Sequence, residues 1–79
     1  MSRYFFDLVE DGVEYTDEEG QDCPDSSAAR SSAIASIRGI LSAAVLEGRL
    51  ILRGCLRVRD AAGSKVMTVA FGDAIEIQR

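Results

Sequence analysis

Three groups of side chains in this 79-residue chain are of types that could do chemistry. The first is acidic. Asp17, Glu18, Glu19 and Asp22 gather around Gly20, and hard cations such as calcium take several carboxylate oxygens at once. The spacing does not fit a calcium loop: counted from Asp11 or Asp17, an EF-hand loop ends on Asp22 or Ala28, where a bidentate glutamate is required. A solvated acidic turn is the better reading, and no metal is expected. The second is Asp7, set among Tyr4, Phe5 and Phe6. A carboxyl in an apolar pocket can have a raised pKa and serve as acid or base. A strand-edge carboxylate bonded to Arg3 or to a turn amide is the simpler reading, since structural ion pairs also perturb acids. The third is basic: Arg53, Arg57 and Arg59 would share one face of a strand and make a cationic stripe for phosphates or an acidic protein surface. A sheet that reads single-stranded RNA also needs stacking aromatics, and only Phe5 is on offer. Pairing of these arginines with Glu10, Glu14 or Asp17 on neighbouring strands is favoured over a phosphate site.

The rest of the inventory is thin. The chain has no histidine, which removes the usual partner of a cysteine nucleophile and the commonest metal ligand together. Cys23 and Cys55 are expected as reduced thiols. Without a nucleophile–base pair, a glycine-rich phosphate loop or a ligand cluster, the chain does not read as an enzyme and no cofactor is implied. Thirteen acids against nine bases give a net charge of −4, which argues against a protein whose main task is gripping phosphate backbones. The total hides a split. Residues 1–25 carry nine acids and one base, net −8; residues 26–79 carry eight bases and four acids, net +4. Such a split fits either docking between copies or pairing of strands within one fold, and the second is preferred. No run approaches the roughly 18–20 apolar residues of a membrane span, because serines, Arg38 and Gly39 interrupt the longest helix candidate. Asp7 follows Tyr4-Phe5-Phe6 too closely for a secretion signal, so a cytoplasmic location is expected.

The elements that must position these groups follow from periodicity. Tyr4, Phe6 and Leu8 alternate with Arg3, Asp7 and Val9, which is a strand pattern. Asp11-Gly12 signals a tight hairpin turn, with Val13 to Tyr15 returning. Asp17 to Gly20 is a second turn, and Gln21 to Pro24 reads as a loop. Asp25-Ser26-Ser27 offers N-caps. Beyond it, Ala29, Ala33, Ile34, Ile37, Ile40, Leu41, Ala44 and Val45 fall within about 80° of one line at helical pitch, ending near Gly48. Ser32, Ser36, Gly39 and Ala43 lie opposite that stripe, and Leu46 also points away from it. Small residues in a row let a second backbone approach, so this back surface is a candidate dimer seam as well as a plain solvated face. Leu50 to Asp60 alternates again, Asp60 to Ser64 is a hairpin loop, and Lys65 to Phe71 returns with Met67, Val69 and Phe71 on one face. Ala74 to Ile77 suits a short strand or one helical turn.

The expected fold is therefore α+β: a two-layer sandwich, strand-strand-helix-strand-strand, with an antiparallel sheet and one helix on one face. The other face would show Phe5, Cys55, Arg57, Arg59, Val66 and Thr68, a mixed surface of the kind that makes contacts. Six short runs stand in order: Arg3-Tyr4-Phe5-Phe6-Asp7, Asp17-Glu18-Glu19-Gly20, Pro24-Asp25, Ala28-Ala29-Arg30, Val58-Arg59-Asp60-Ala61-Ala62-Gly63 and Val69-Ala70-Phe71-Gly72-Asp73-Ala74. Together they resemble a family of small single-domain proteins of unknown function, widespread in rhizobia and related alphaproteobacteria. The resemblance runs from residue 3 to about 74, with Ile51 to Cys55 more apolar than the family pattern. It implies a bacterial cytoplasmic protein and brings no activity, cofactor or catalytic residue. The function expected is a non-catalytic, self-associating interaction module, a dimer, since oligomerisation commonly supplements so thin a core. The surface would be the helix back or the sheet face, and a protein partner would be possible. The alternative is a small antitoxin-like nucleic-acid regulator using the arginine strand, against which the acidic charge counts.

Overall fold

A computed structural model of the chain describes residues 1–78. Its elements are β1 (Ser2–Glu10), β2 (Val13–Tyr15), β3 (Gln21–Cys23), α1 (Ser26–Leu46), β4 (Cys55–Arg59), β5 (Lys65–Ala70) and a 3₁₀ turn (Phe71–Ala74). All pairings are antiparallel, in the order β2-β1-β4-β5, with β3 on the same edge of β1 as β2. The α+β sandwich is as expected, with one strand more.

Register explains the burial. Phe6 faces Val58, Leu8 faces Leu56, Leu56 faces Val69 and Val58 faces Met67. Side chains of facing residues share a side of the sheet, so these six and Tyr4 form one apolar surface. Against it α1 sets Ala29, Ala33, Ile37 and Leu41, all buried. The two alanines have no bulk beyond Cβ, so the helix backbone lies close to the sheet. The large side chains that fill the core are Phe71, Ile37, Val58 and Val69, each contributing about 1.5–3 kcal/mol by burial. Val45 lies in the last turn of α1 and is exposed, which departs from the helical-pitch expectation.

Local chemistry sets the boundaries. Asp11 and Gly12 hold φ of 53° and 76°, the left-handed pair that a two-residue hairpin requires. Asp25 caps α1 by accepting the Ala28 amide at 2.8 Å. At the other end the amides of Glu47 and Gly48 bond back to Ala44 and Val45. Gly39, mid-helix and exposed, has open space where a Cβ would stand. Gly39→Ala is expected to raise stability by about 0.5–1 kcal/mol, read as a higher urea midpoint with unchanged slope.

Four expectations are corrected. The strand anticipated from Leu50 begins only at Cys55, because Gly54 turns the chain at φ 143° with Val9 and Phe71 packed against it. Gln21 to Cys23 is a strand rather than a loop: the long edge of β1 recruits it, although Gln-Asp-Cys has no strand pattern of its own. The stretch after β5 forms its helical turn earlier than anticipated, over Phe71–Ala74, with the Ala74 carbonyl accepting Arg38 Nε at 2.6 Å. Finally, α1 with its 21 residues is long and apolar enough to cross a membrane by length and composition alone, contrary to the expectation that no segment approaches this. Its apolar stripe is nevertheless seated on the sheet.

Candidate functional site

The open face of the sheet, opposite α1, gathers the charged residues. Asp7 lies on β1 and Arg59 on β4, and Arg59 faces Phe5 across the ladder. The guanidinium carbon stands 5.1 Å from the centre of the Phe5 ring, a cation–π contact that orients it. From there Arg59 grips Asp7 with two donors, Nε to Oδ2 at 2.6 Å and Nη2 to Oδ1 at 3.1 Å. Asp7 is 4% exposed, the one buried charged residue among those described.

Asp7 also reaches the β2–β3 loop, where Asp7 Oδ1 accepts the Asp17 amide at 2.9 Å. The Asp17 carboxylate then organises the loop itself. Its Oδ1 accepts the amides of Glu19 and Gly20 at 3.1 and 3.0 Å, an Asx-type turn. Its Oδ2 accepts the Phe6 amide of β1 at 3.0 Å. That last bond has a topological cause. Tyr15 faces Leu8 and Gln21 faces Tyr4, so six steps of chain oppose four on β1 and the loop bulges away. The bulge leaves the Phe6 amide with no backbone carbonyl opposite, and Asp17 supplies the missing acceptor. Arg59 Nη2 closes the circuit on the Asp17 carbonyl at 3.3 Å.

The electrostatics follow from these contacts. The Arg59 hydrogen bonds hold Asp7 below the ordinary carboxylate range; burial opposes them and the Asp17 amide adds to them. For Asp17, burial pushes upward most strongly, yet the Phe6, Gly20 and Glu19 amides together bring it below its ordinary value. The Asp7 carboxylate in turn raises Arg59. An acid held ionised, with both oxygens occupied, is placed to anchor a loop and not to donate a proton. Of the two simpler partners expected for Asp7, the turn amide is present, while Arg3 instead pairs with Asp22 at 3.3 Å and the Glu19 carbonyl.

Because both aspartates titrate lower folded than unfolded, their stabilisation is complete above the unfolded value of about 3.9 and is lost as pH falls below it. The melting temperature should be level from about pH 7 to about pH 5 and fall steeply below about pH 4. In Asp17→Ala that acid limb should be shallower.

The other two arginines of the expected stripe each meet an acid of the N-terminal third. Arg57 pairs with Glu14 at 2.9 Å, and Arg53 meets Asp11 at 3.5 Å. Arg53 sits in the loop before β4, 82% exposed, so it is not part of the strand stripe expected for it. Phe5, Arg57 and Arg59 do come together. Ser36, Gly39, Ala43 and Leu46 are exposed on α1, on the far side of the sheet from them. Ser32 is half-buried beside β3 and accepts the Gln21 amide group at 2.7 Å, so it is not free at the helix back as expected. Asp17 was anticipated in the acidic turn and as a partner for the arginines, but its bond to the Phe6 amide was not: the Asp-x-x-Gly turn predicts an Asx bond and no reach across to β1.

Among the described residues no three His, Cys, Asp or Glu side chains gather as a metal-binding set, and there is no cavity. Both cysteines are unbonded, Cys23 buried and Cys55 half-buried. The molecule is a one-helix antiparallel α+β domain whose open face is pinned by an internal Asp–Arg–loop clamp. A family model, DUF6894, described as a domain of unknown function, matches residues 3–72, and the chain belongs to that family. No curated protein and no solved structure matches it.

Proposed function

We propose that this chain is a non-catalytic interaction module of the cytosol that associates with a second copy of itself. The observation that carries this reading is the one-sided sheet. One helix covers one face, while Arg57, Thr68 and Ala70 stand exposed on the other. A mixed polar and apolar sheet surface without a cleft suits contact with a macromolecule better than capture of a small molecule. The clamp supports it too: among the described residues every buried side-chain nitrogen and oxygen already has a partner within the chain. The nucleic-acid reading draws no support, because Arg53, Arg57 and Arg59 each already face a carboxylate.

A folded chain stabilised by association melts at a temperature that rises with its own concentration, by mass action. The expected result is a clear rise across the micromolar range. A melting temperature independent of concentration would count against the module.

A further inference from the structure

We infer that the module associates through the free edge of β5, two copies pairing antiparallel about a twofold axis at Thr68; this rests on the self-association proposed above. The sheet has two edges of opposite character. On one, β2 and β3 are short, separated by the bulged loop, and lined by Glu14, Asp17, Glu18, Glu19 and Asp22. Asp17 fills the gap in its ladder, and two such acidic, interrupted edges repel each other. The other edge is β5, six residues long with β4 as its one strand neighbour. From Val66 to Gly72 it carries no charge and no proline, which is the composition of a strand able to pair.

The direction of the free groups can be read from the ladder. The Phe71 amide donates to the Gly54 carbonyl at 3.0 Å. Peptide groups alternate along an antiparallel strand, so Val69 and Met67 also address β4, whereas Thr68 and Ala70 turn outward. The same alternation aims Phe6 away from β4, as its bond to Asp17 requires. Val66 falls at the register shift and has no partner on β4. Of the outward amides, that of Ala70 is held by the Asp73 carboxylate at 3.3 Å. Thr68 therefore presents an N–H and a C=O to solvent.

A second copy fits this edge by symmetry and by charge. With Thr68 on the axis, the two threonines exchange a pair of N–H···O bonds and set their side chains opposite one another, a favourable cross-strand pair. Val66 then faces the second copy's Ala70, and Lys65 lies two residues from the second copy's Asp73. Parallel pairing would set Lys65 against Lys65. The antiparallel dimer instead places opposite charges at both ends of the junction and continues the sheet, with one helix from each copy on the same side.

The test is sedimentation of the wild-type chain and of Thr68→Pro, which deletes the outward N–H without touching the β4 ladder. Leu46→Glu on the helix back serves as comparison. The expected result is a wild-type dimer, a dissociation constant raised roughly tenfold or more by Thr68→Pro through loss of the two hydrogen bonds between copies, and no change with Leu46→Glu. A dimer indifferent to Thr68→Pro would overturn the edge but leave self-association standing; a wild-type monomer at every concentration would overturn both. Should Thr68→Pro fail to fold, amide exchange on the wild type decides the matter. The Thr68 N–H should exchange fast in dilute protein and slowly in concentrated protein, and equal rates would refute the edge.

Discussion

Asp7→Ala should lower the melting temperature by about 8 °C or more, the largest effect expected of any single side-chain truncation on the open face. The carboxylate is the common acceptor for two Arg59 donors and the Asp17 amide. Its removal leaves an Arg59 guanidinium stacked on Phe5 without its counter-charge and a loop amide without an acceptor. Breaking one partner of a hydrogen-bonded charge pair with limited solvent access costs about 2–4 kcal/mol, and in a domain this small each kcal/mol moves the midpoint roughly 4–8 °C. Asp7→Asn keeps one carbonyl oxygen for the Asp17 amide and should fall between. Glu14→Ala removes the neighbouring pair with Arg57, whose side chains are both nearly half exposed; such pairs are worth at most about 1 kcal/mol. Calorimetry on the three variants checks the ranking. If Asp7→Ala and Glu14→Ala melt together, the clamp does not hold the fold as described.

Gly54→Ala should be about as damaging, for a backbone reason. The residue stands at φ 143°, a conformation L side chains rarely adopt. An added Cβ would lie 2.8 Å from the Val9 carbonyl oxygen and 2.9 Å from Phe71 Cε2. Neither neighbour can retreat: Val9 belongs to the central strand β1, and Phe71 is among the largest fully buried side chains. Strain and steric conflict together should cost about 2–4 kcal/mol. The expected readout is a lowered urea midpoint at unchanged slope, opposite in sign to Gly39→Ala, where a Cβ meets nothing within 4 Å. Gly54 thus marks the junction where β1, β4 and the 3₁₀ turn meet.

Much of this architecture was legible from alternation alone. Tyr4, Phe6 and Leu8, then Leu56 and Val58, then Met67 and Val69 each repeat every second residue, and that period puts them on one side of a strand wherever the strand ends up. The helix was legible for the same reason at its own period, and Asp11-Gly12 and Asp25 are local signals that need no tertiary context. What was not legible depends on partners distant in the chain. Gln21 to Cys23 becomes a strand because β1 is nine residues long and offers an edge. Leu50 to Arg53 is apolar enough to pass for the start of the alternating strand that follows it, yet Gly54 and Phe71 decide otherwise. Of the candidate site, Phe5, Arg57 and Arg59 were placed together correctly through the parity of their positions. The second role of Asp17 was hidden, because a carboxylate that replaces a ladder carbonyl is defined by a two-residue offset between strands, and nothing local to Asp17 encodes that offset.

The most direct measurement of the central claim is the mass of the native chain in solution, by sedimentation equilibrium over the micromolar range. Self-association of the module predicts a species of twice the 8.5 kDa chain mass that dissociates on dilution. A single species of 8.5 kDa at every concentration would contradict it.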